Sequence, residues 1–102
     1  MIVVVATIYI TPEKMESFTK AFQELVPLVV AEEGCLEYFP VRNKPTSLAA
    51  QRDADEGTLT VIEKWESLEA LERHLKAPHM EAFRKEQADA LGDLKVQIYE
   101  AF

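Results

Sequence analysis

Within the stretch Glu63 to Phe83, a carboxylate (Glu63), an indole (Trp65), two imidazoles (His74 and His79) and a phenyl ring (Phe83) follow one another. Imidazole titrates near neutral pH, so His74 has the chemistry of a general base. A carboxylate set among apolar groups is driven toward its neutral form and can also take a proton near neutrality. The aromatic groups, with Tyr38 from earlier in the chain, can wall a pocket for a flat, partly apolar ligand. A base beside an aromatic wall is an arrangement for removing a proton from a small aromatic molecule. Each residue also has a plainer reading. Glu63 can sit near a sheet end, paired with a lysine or capping a loop. Trp65, Tyr38 and Phe83 can be core. His74, at the flank of the Leu68, Leu71, Leu75 stripe, can be satisfied by a backbone carbonyl. His79 follows Pro78 in a first helical turn, where the helix N-terminus disfavours imidazolium; it can be a packing or capping residue.

These groups need elements to position them. Ile2 to Ile10 is rich in β-branched residues and reads as a strand. Thr11 is an N-cap type and Pro12 suits a first helical position. Met15, Phe18, Phe22, Leu25 and Val29 follow at helical spacing, which predicts a helix to about Glu32, bent at Pro27 and ended by Gly34. Cys35 to Arg42 alternates as a second strand. Asn43 to Gly57, with Pro45, Thr46, Ser47 and the run Arg52-Asp53-Ala54-Asp55-Glu56-Gly57, reads as a long hairpin connection. Thr58 to Trp65 is a third strand. Ser67 caps a short helix to about Lys76. Pro78 starts another, expected to run to about Leu91 and to stop at Gly92. Leu94 to Phe102 is the last strand.

The order β-α-β-β-α-α-β is a split β-α-β repeat. It predicts a ferredoxin-like α+β sandwich, a four-stranded antiparallel sheet with helices on one face, as a single domain over residues 1–102. Leu59, Val61, Glu63 and Trp65 share one face of the third strand. The first strand has Ile2, Val4, Ala6, Ile8 and Ile10 on one face and Val3, Val5, Thr7 and Tyr9 on the other, so both faces call for cover. The pattern leaves open which face meets the helices. The face left over is expected to pack on a second copy, and a two-fold dimer is the simplest closed solution.

Composition narrows the function. The 102 residues are close to half apolar, enough for one core, and the formal charge is −7. That charge argues against nucleic acid and against an anionic membrane surface. No apolar run approaches the ~20 residues of a spanning helix. The apolar start lacks a basic flank and a small-residue cleavage site, so it reads as a strand and not a signal peptide. The single cysteine, Cys35, cannot form an internal disulfide. No Cys/His cluster has zinc spacing, and no flavin, nicotinamide, phosphate-loop or serine-nucleophile motif occurs. A soluble cytoplasmic protein without a cofactor or metal is expected.

The segment Glu63-Lys64-Trp65-Glu66-Ser67-Leu68-Glu69-Ala70-Leu71-Glu72-Arg73-His74, continuing to His79, together with Glu33-Gly34-Cys35-Leu36-Glu37-Tyr38 and the Thr11-Pro12 turn, resembles the antibiotic biosynthesis monooxygenase family over nearly the whole chain. The motif pair is E-x-G-C-x-x-Y and E-x-W-x-S-x-E-A-L-x-x-H-x-x-x-x-H. The resemblance implies two sheets facing each other in a barrel-like dimer, and cofactor-independent oxidation of a small phenolic or quinol-like aromatic by O2. It makes His74 or Glu63 the base and Trp65, Tyr38, Phe83, Thr7 and His79 the substrate-binding candidates. Relatives also include haem-degrading enzymes, a signal-molecule isomerase and members without an assigned activity, so an isomerase of a small carbonyl metabolite, a haem-degrading relative or a non-catalytic ligand-binding dimer stands as the alternative. Haem-degrading relatives use an asparagine on the first strand and tend to carry an aromatic at the position of His74. Thr7, or a residue near it, and His74 depart from that pattern. The Asn43 to Gly57 connection is longer than the family's usual join.

Overall fold

Alternation on a strand sends successive side chains to opposite faces, and the burial pattern of the chain follows it. In the computed structural model, which describes residues Met1–Phe102, β1 is Ile2–Ile10, α1 is Met15–Val30, β2 is Cys35–Val41, β3 is Thr58–Trp65, α2 is Leu68–Leu75, α3 is Pro78–Glu86 and β4 is Leu91–Glu100. The strands form one four-stranded sheet in the order β2-β3-β1-β4. Every neighbouring pair is antiparallel, with Val4 opposite Glu63 and Ile98, and Tyr38 opposite Glu63 on the other side. The fold is the expected ferredoxin-like sandwich, with the helices on one face. No helix is long and apolar enough to cross a membrane.

The face that meets the helices is the one carrying Val4, Ala6 and Ile10 of β1, with Leu59, Val61, Glu63 and Trp65 of β3 and Tyr38 of β2. Phe18, Phe22, Leu25 and Val29, one stripe of α1, close over it. Phe22 stacks on Tyr38 at 5.8 Å between ring centroids and meets Phe83 edge-on at 5.9 Å. Burying each such side chain contributes roughly 1.5–3 kcal/mol. The helices stop short of β4, an edge strand: Leu94, Val96 and Ile98 point to the helix side and stay exposed, Val96 the least at 46%. On the opposite face Val3, Val5 and Ile62 are half-buried and Phe39 and Tyr99 exposed. The connection between β2 and β3 reaches that face, where Tyr9 donates to Asp55 Oδ2 at 2.9 Å.

Four local expectations need correction. Thr11 does not cap a helix with its side chain: the chain enters α1 through a single 3₁₀ turn, Pro12–Lys14, and the Thr11 hydroxyl instead donates to the Asp89 carbonyl at 3.3 Å. α1 ends at Val30, before Glu32, and a turn leads to Gly34. α3 ends at Glu86, and its pattern does not reach Leu91, because Leu91 is drawn into the ladder opposite Ile10. Gly92 therefore lies inside β4 and ends no helix. It sits where the β1–β4 register shifts, and a Cβ there would come within 3.1 Å of the Tyr9 carbonyl oxygen. Ser67 is the N-cap expected of it, accepting from the Ala70 N–H at 3.2 Å.

Candidate functional site

Between the sheet and the helices lies a cavity of about 540 Å³. Its walls are mostly apolar: Phe18 and Phe22 of α1, Met80 and Phe83 of α3, and Leu94, Val96 and Ile98 of the uncovered β4 edge. Four polar side chains interrupt them, Glu63 of β3, Tyr38 of β2, His74 of α2 and Arg84 of α3. Four of the sequence candidates thus meet in one space: His74, Glu63, Tyr38 and Phe83.

Three others stand elsewhere. Trp65 is fully buried behind the wall, its ring 4.7 Å from the His74 ring, and its Nε1–H donates to Glu63 Oε1 at 2.9 Å. It orients the carboxylate and does not itself line the cavity. His79 is outside too and is bound to Glu32. Thr7 lies on the far side of the sheet, in a polar recess of about 290 Å³ shared with Arg42, Arg52 and Asp55 of the long connection. Odd and even positions of β1 face apart, so Thr7 cannot share a space with His74.

The residue that sequence reasoning missed is Glu32. Its Oε2 accepts from His74 Nδ1 at 2.9 Å and from His79 Nε2 at 2.7 Å. Glu32 falls in the turn after α1, beyond any periodic pattern, and forty-odd positions separate it from its partners. The available signal was its place as the first letter of the E-x-G-C-x-x-Y motif. The turn is held by Gly34, whose φ of +85° favours glycine and whose absent Cβ would fall 2.5 Å from the Ala70 Cβ on α2. The Gly34 carbonyl also accepts from the Glu66 N–H at 2.8 Å, which ties the turn to the end of β3.

A carboxylate only accepts, so the Glu32 bond places the His74 proton on Nδ1 and leaves Nε2 as a lone pair. No protein group occupies His74 Nε2, Glu63 Oε2 or the Tyr38 hydroxyl, and no side-chain N or O is both buried and unpartnered. Each of these atoms therefore reaches open space, and their side chains line the cavity. Burial pushes the Glu63 carboxyl up to about 7 and the nearby Glu32 charge adds to this, against the opposing Trp65 hydrogen bond. Burial lowers the His74 imidazole, with the Glu32 hydrogen bond opposing it and the Arg84 charge among the lesser causes. Burial, then the Glu63 and Glu32 charges, raises the Tyr38 phenol well above its ordinary range. At working pH the cavity thus holds a neutral imidazole with a free lone pair, a carboxyl poised near neutrality and an un-ionised phenol. No group of His, Cys, Asp or Glu side chains, the Glu32 trio included, is arranged to hold a metal ion.

The family model for antibiotic biosynthesis monooxygenases matches residues 1–86. The chain belongs to the antibiotic biosynthesis monooxygenase family. The chain is also similar to the Escherichia coli K12 probable quinol monooxygenase YgiN, 31% identical over 96% of this chain and 95% of YgiN. Among solved structures, PA3566 from Pseudomonas aeruginosa superposes with a TM-score of 0.80 at 26% identity, covering 99% of this chain and 93% of that one. A Caulobacter crescentus CB15 protein superposes with a TM-score of 0.82 at 29% identity, covering 99% and 89%. The fold is therefore shared with solved structures of the family.

Proposed function

We propose that this chain is a cofactor-independent monooxygenase of a small phenolic or quinol-like aromatic, acting as a cytoplasmic homodimer. The observation that carries this reading is the His74 ring, held by Glu32 through Nδ1 and lining an apolar cavity that Glu63 and Tyr38 also line. The quinol monooxygenase description of YgiN, at 31% identity, supports the substrate class.

The chemistry needs a base, a dry wall and O2. His74 Nε2 takes the phenolic proton. The resulting phenolate, in surroundings that solvate anions poorly, passes one electron to O2. The phenoxyl radical and superoxide join at an open ring carbon, and the imidazolium returns its proton to the new peroxide. Glu63 then takes the hydrogen of that ring carbon as a proton and passes it to the departing hydroxide as the O–O bond breaks. One oxygen atom remains as a ring carbonyl. The other leaves as water carrying the phenolic and ring hydrogens. The four electrons that O2 accepts all come from the substrate, a phenol converted to a quinone.

His74→Ala tests the assignment. Loss of a general base costs ~10²–10⁴ in rate. With a panel of quinols and phenols in an oxygen electrode, kcat should fall by about that factor while the circular dichroism spectrum is kept. Near-normal turnover in a folded His74→Ala protein overturns the assignment. A second reading follows from the same pair of groups. Two titratable side chains on one cavity can move a proton between adjacent carbons of a small carbonyl compound, which is isomerase chemistry. Turnover without oxygen uptake selects that reading.

A further inference from the structure

Two histidines share one carboxylate oxygen, and they differ in their access to water. Glu32 Oε2 lies 2.9 Å from His74 Nδ1 and 2.7 Å from His79 Nε2. The His74 side chain is 2% exposed and that of His79 is 26% exposed. One carboxylate offsets one imidazolium. A proton arriving from solvent therefore has two possible holders but only one counter-charge, and the wetter ring is the cheaper holder.

We propose that His79 is a positioning residue that takes the proton otherwise destined for His74, so that the cavity base stays neutral as the pH falls. This rests on the reading of His74 as the base. The N-terminus of α3 disfavours charge at His79, and the ion pair with Glu32 offsets it; the groups around His74 all disfavour a charge there or leave it without a second counter-charge. From α3, the Arg84 guanidinium opposes a second positive charge at His74. From β3, Glu63 is neutral below about 7 and offers no second counter-charge. From β2, Tyr38 and Cys35 are un-ionised, since Cys35 is raised to about 11 and Tyr38 is raised too. From the turn after α1, Glu32 is already engaged by the nearer His79 ring. On this proposal the added proton rests on the His79 side of the shared oxygen, and His74 goes on donating through Nδ1–H to Glu32. His79 reaches no reacting atom. It acts on the base through Glu32.

The chain has two histidines, so an NMR correlation spectrum of the imidazole nitrogens contains two rings and no others. Titration of the whole protein should show His79 gaining charge first while His74 remains in its Nδ1–H form. His79→Gln keeps an N–H donor for Glu32 and cannot gain charge. In that variant His74 should bind a proton about tenfold or more tightly, since a like charge ~4–6 Å away is removed. The acid limb of the pH–rate profile should move up with it. His74 charging before His79 in the natural protein overturns the proposal, and so does a His74 titration unmoved by His79→Gln. The order in the natural protein decides the matter even where the variant folds poorly. If the NMR shift occurs and no oxygen is consumed, the trio stands and the oxygenase reading falls.

Discussion

Replacing Glu63 by glutamine separates the effect of its charge from that of its shape. The side chain is 6% exposed and accepts from the Trp65 indole at 2.9 Å. Burial is the main reason its carboxyl titrates at about 7 rather than the usual 4.5. Between those values the folded protein holds a proton that the unfolded chain has released. The associated stability is complete below the unfolded value of 4.5 and is lost as pH rises through about 7. At about 1.4 kcal/mol per pH unit, the interval corresponds to roughly 3 kcal/mol. Glutamine never ionises, and it keeps an oxygen for the indole N–H. The stability difference between Glu63→Gln and the natural protein should therefore be near zero at about pH 4, climb through neutrality and level near roughly 3 kcal/mol at about pH 8. Urea unfolding followed by Trp65 fluorescence, at matched protein concentration across that range, measures it directly. A difference that does not change with pH would refute the reasoning. One that falls as pH rises would show a carboxylate stabilised by a partner in the folded state.

Gly34→Ala should cost about 2 kcal/mol or more, because its φ is +85° and the new Cβ would overlap the Ala70 Cβ; the urea midpoint at neutral pH reports it. Ser67→Ala should cost about 1 kcal/mol through the lost N-cap of α2, read in the same way. The half-exposed apolar face of Val3, Val5, Ile62, Phe39 and Tyr99 should bring two copies together at micromolar concentration; a folded monomer in sedimentation at that concentration would rule out sheet-to-sheet pairing.

The first three strands are legible because β-branched runs and alternation are local signals, and Thr58–Trp65 matches to the residue; the last is Leu91–Glu100, not Leu94 to Phe102, because pairing with β1 draws Leu91 in. Helix ends are less legible. The pattern past Glu86 continues on paper, but pairing of Leu91 with Ile10 overrides it. The aromatic cavity was legible in outline, since Tyr38, Glu63, His74 and Phe83 lie on faces that periodicity assigns. Glu32 was not, because a residue in a turn belongs to no period and its partners are brought to it only by folding. The placement of Thr7 turned on which face of β1 meets α1, and two apolar faces left that choice to the packing of the whole chain.

That choice has an evolutionary consequence. Along β1 the even-numbered residues border the cavity side and the odd-numbered ones border the open side. A mutation at Val4 or Ala6 edits the lining of the cavity, while its neighbour at Val5 or Thr7 edits the opposite face. Selection can thus rework the two faces independently, within a single strand, by changing alternate letters of the same word.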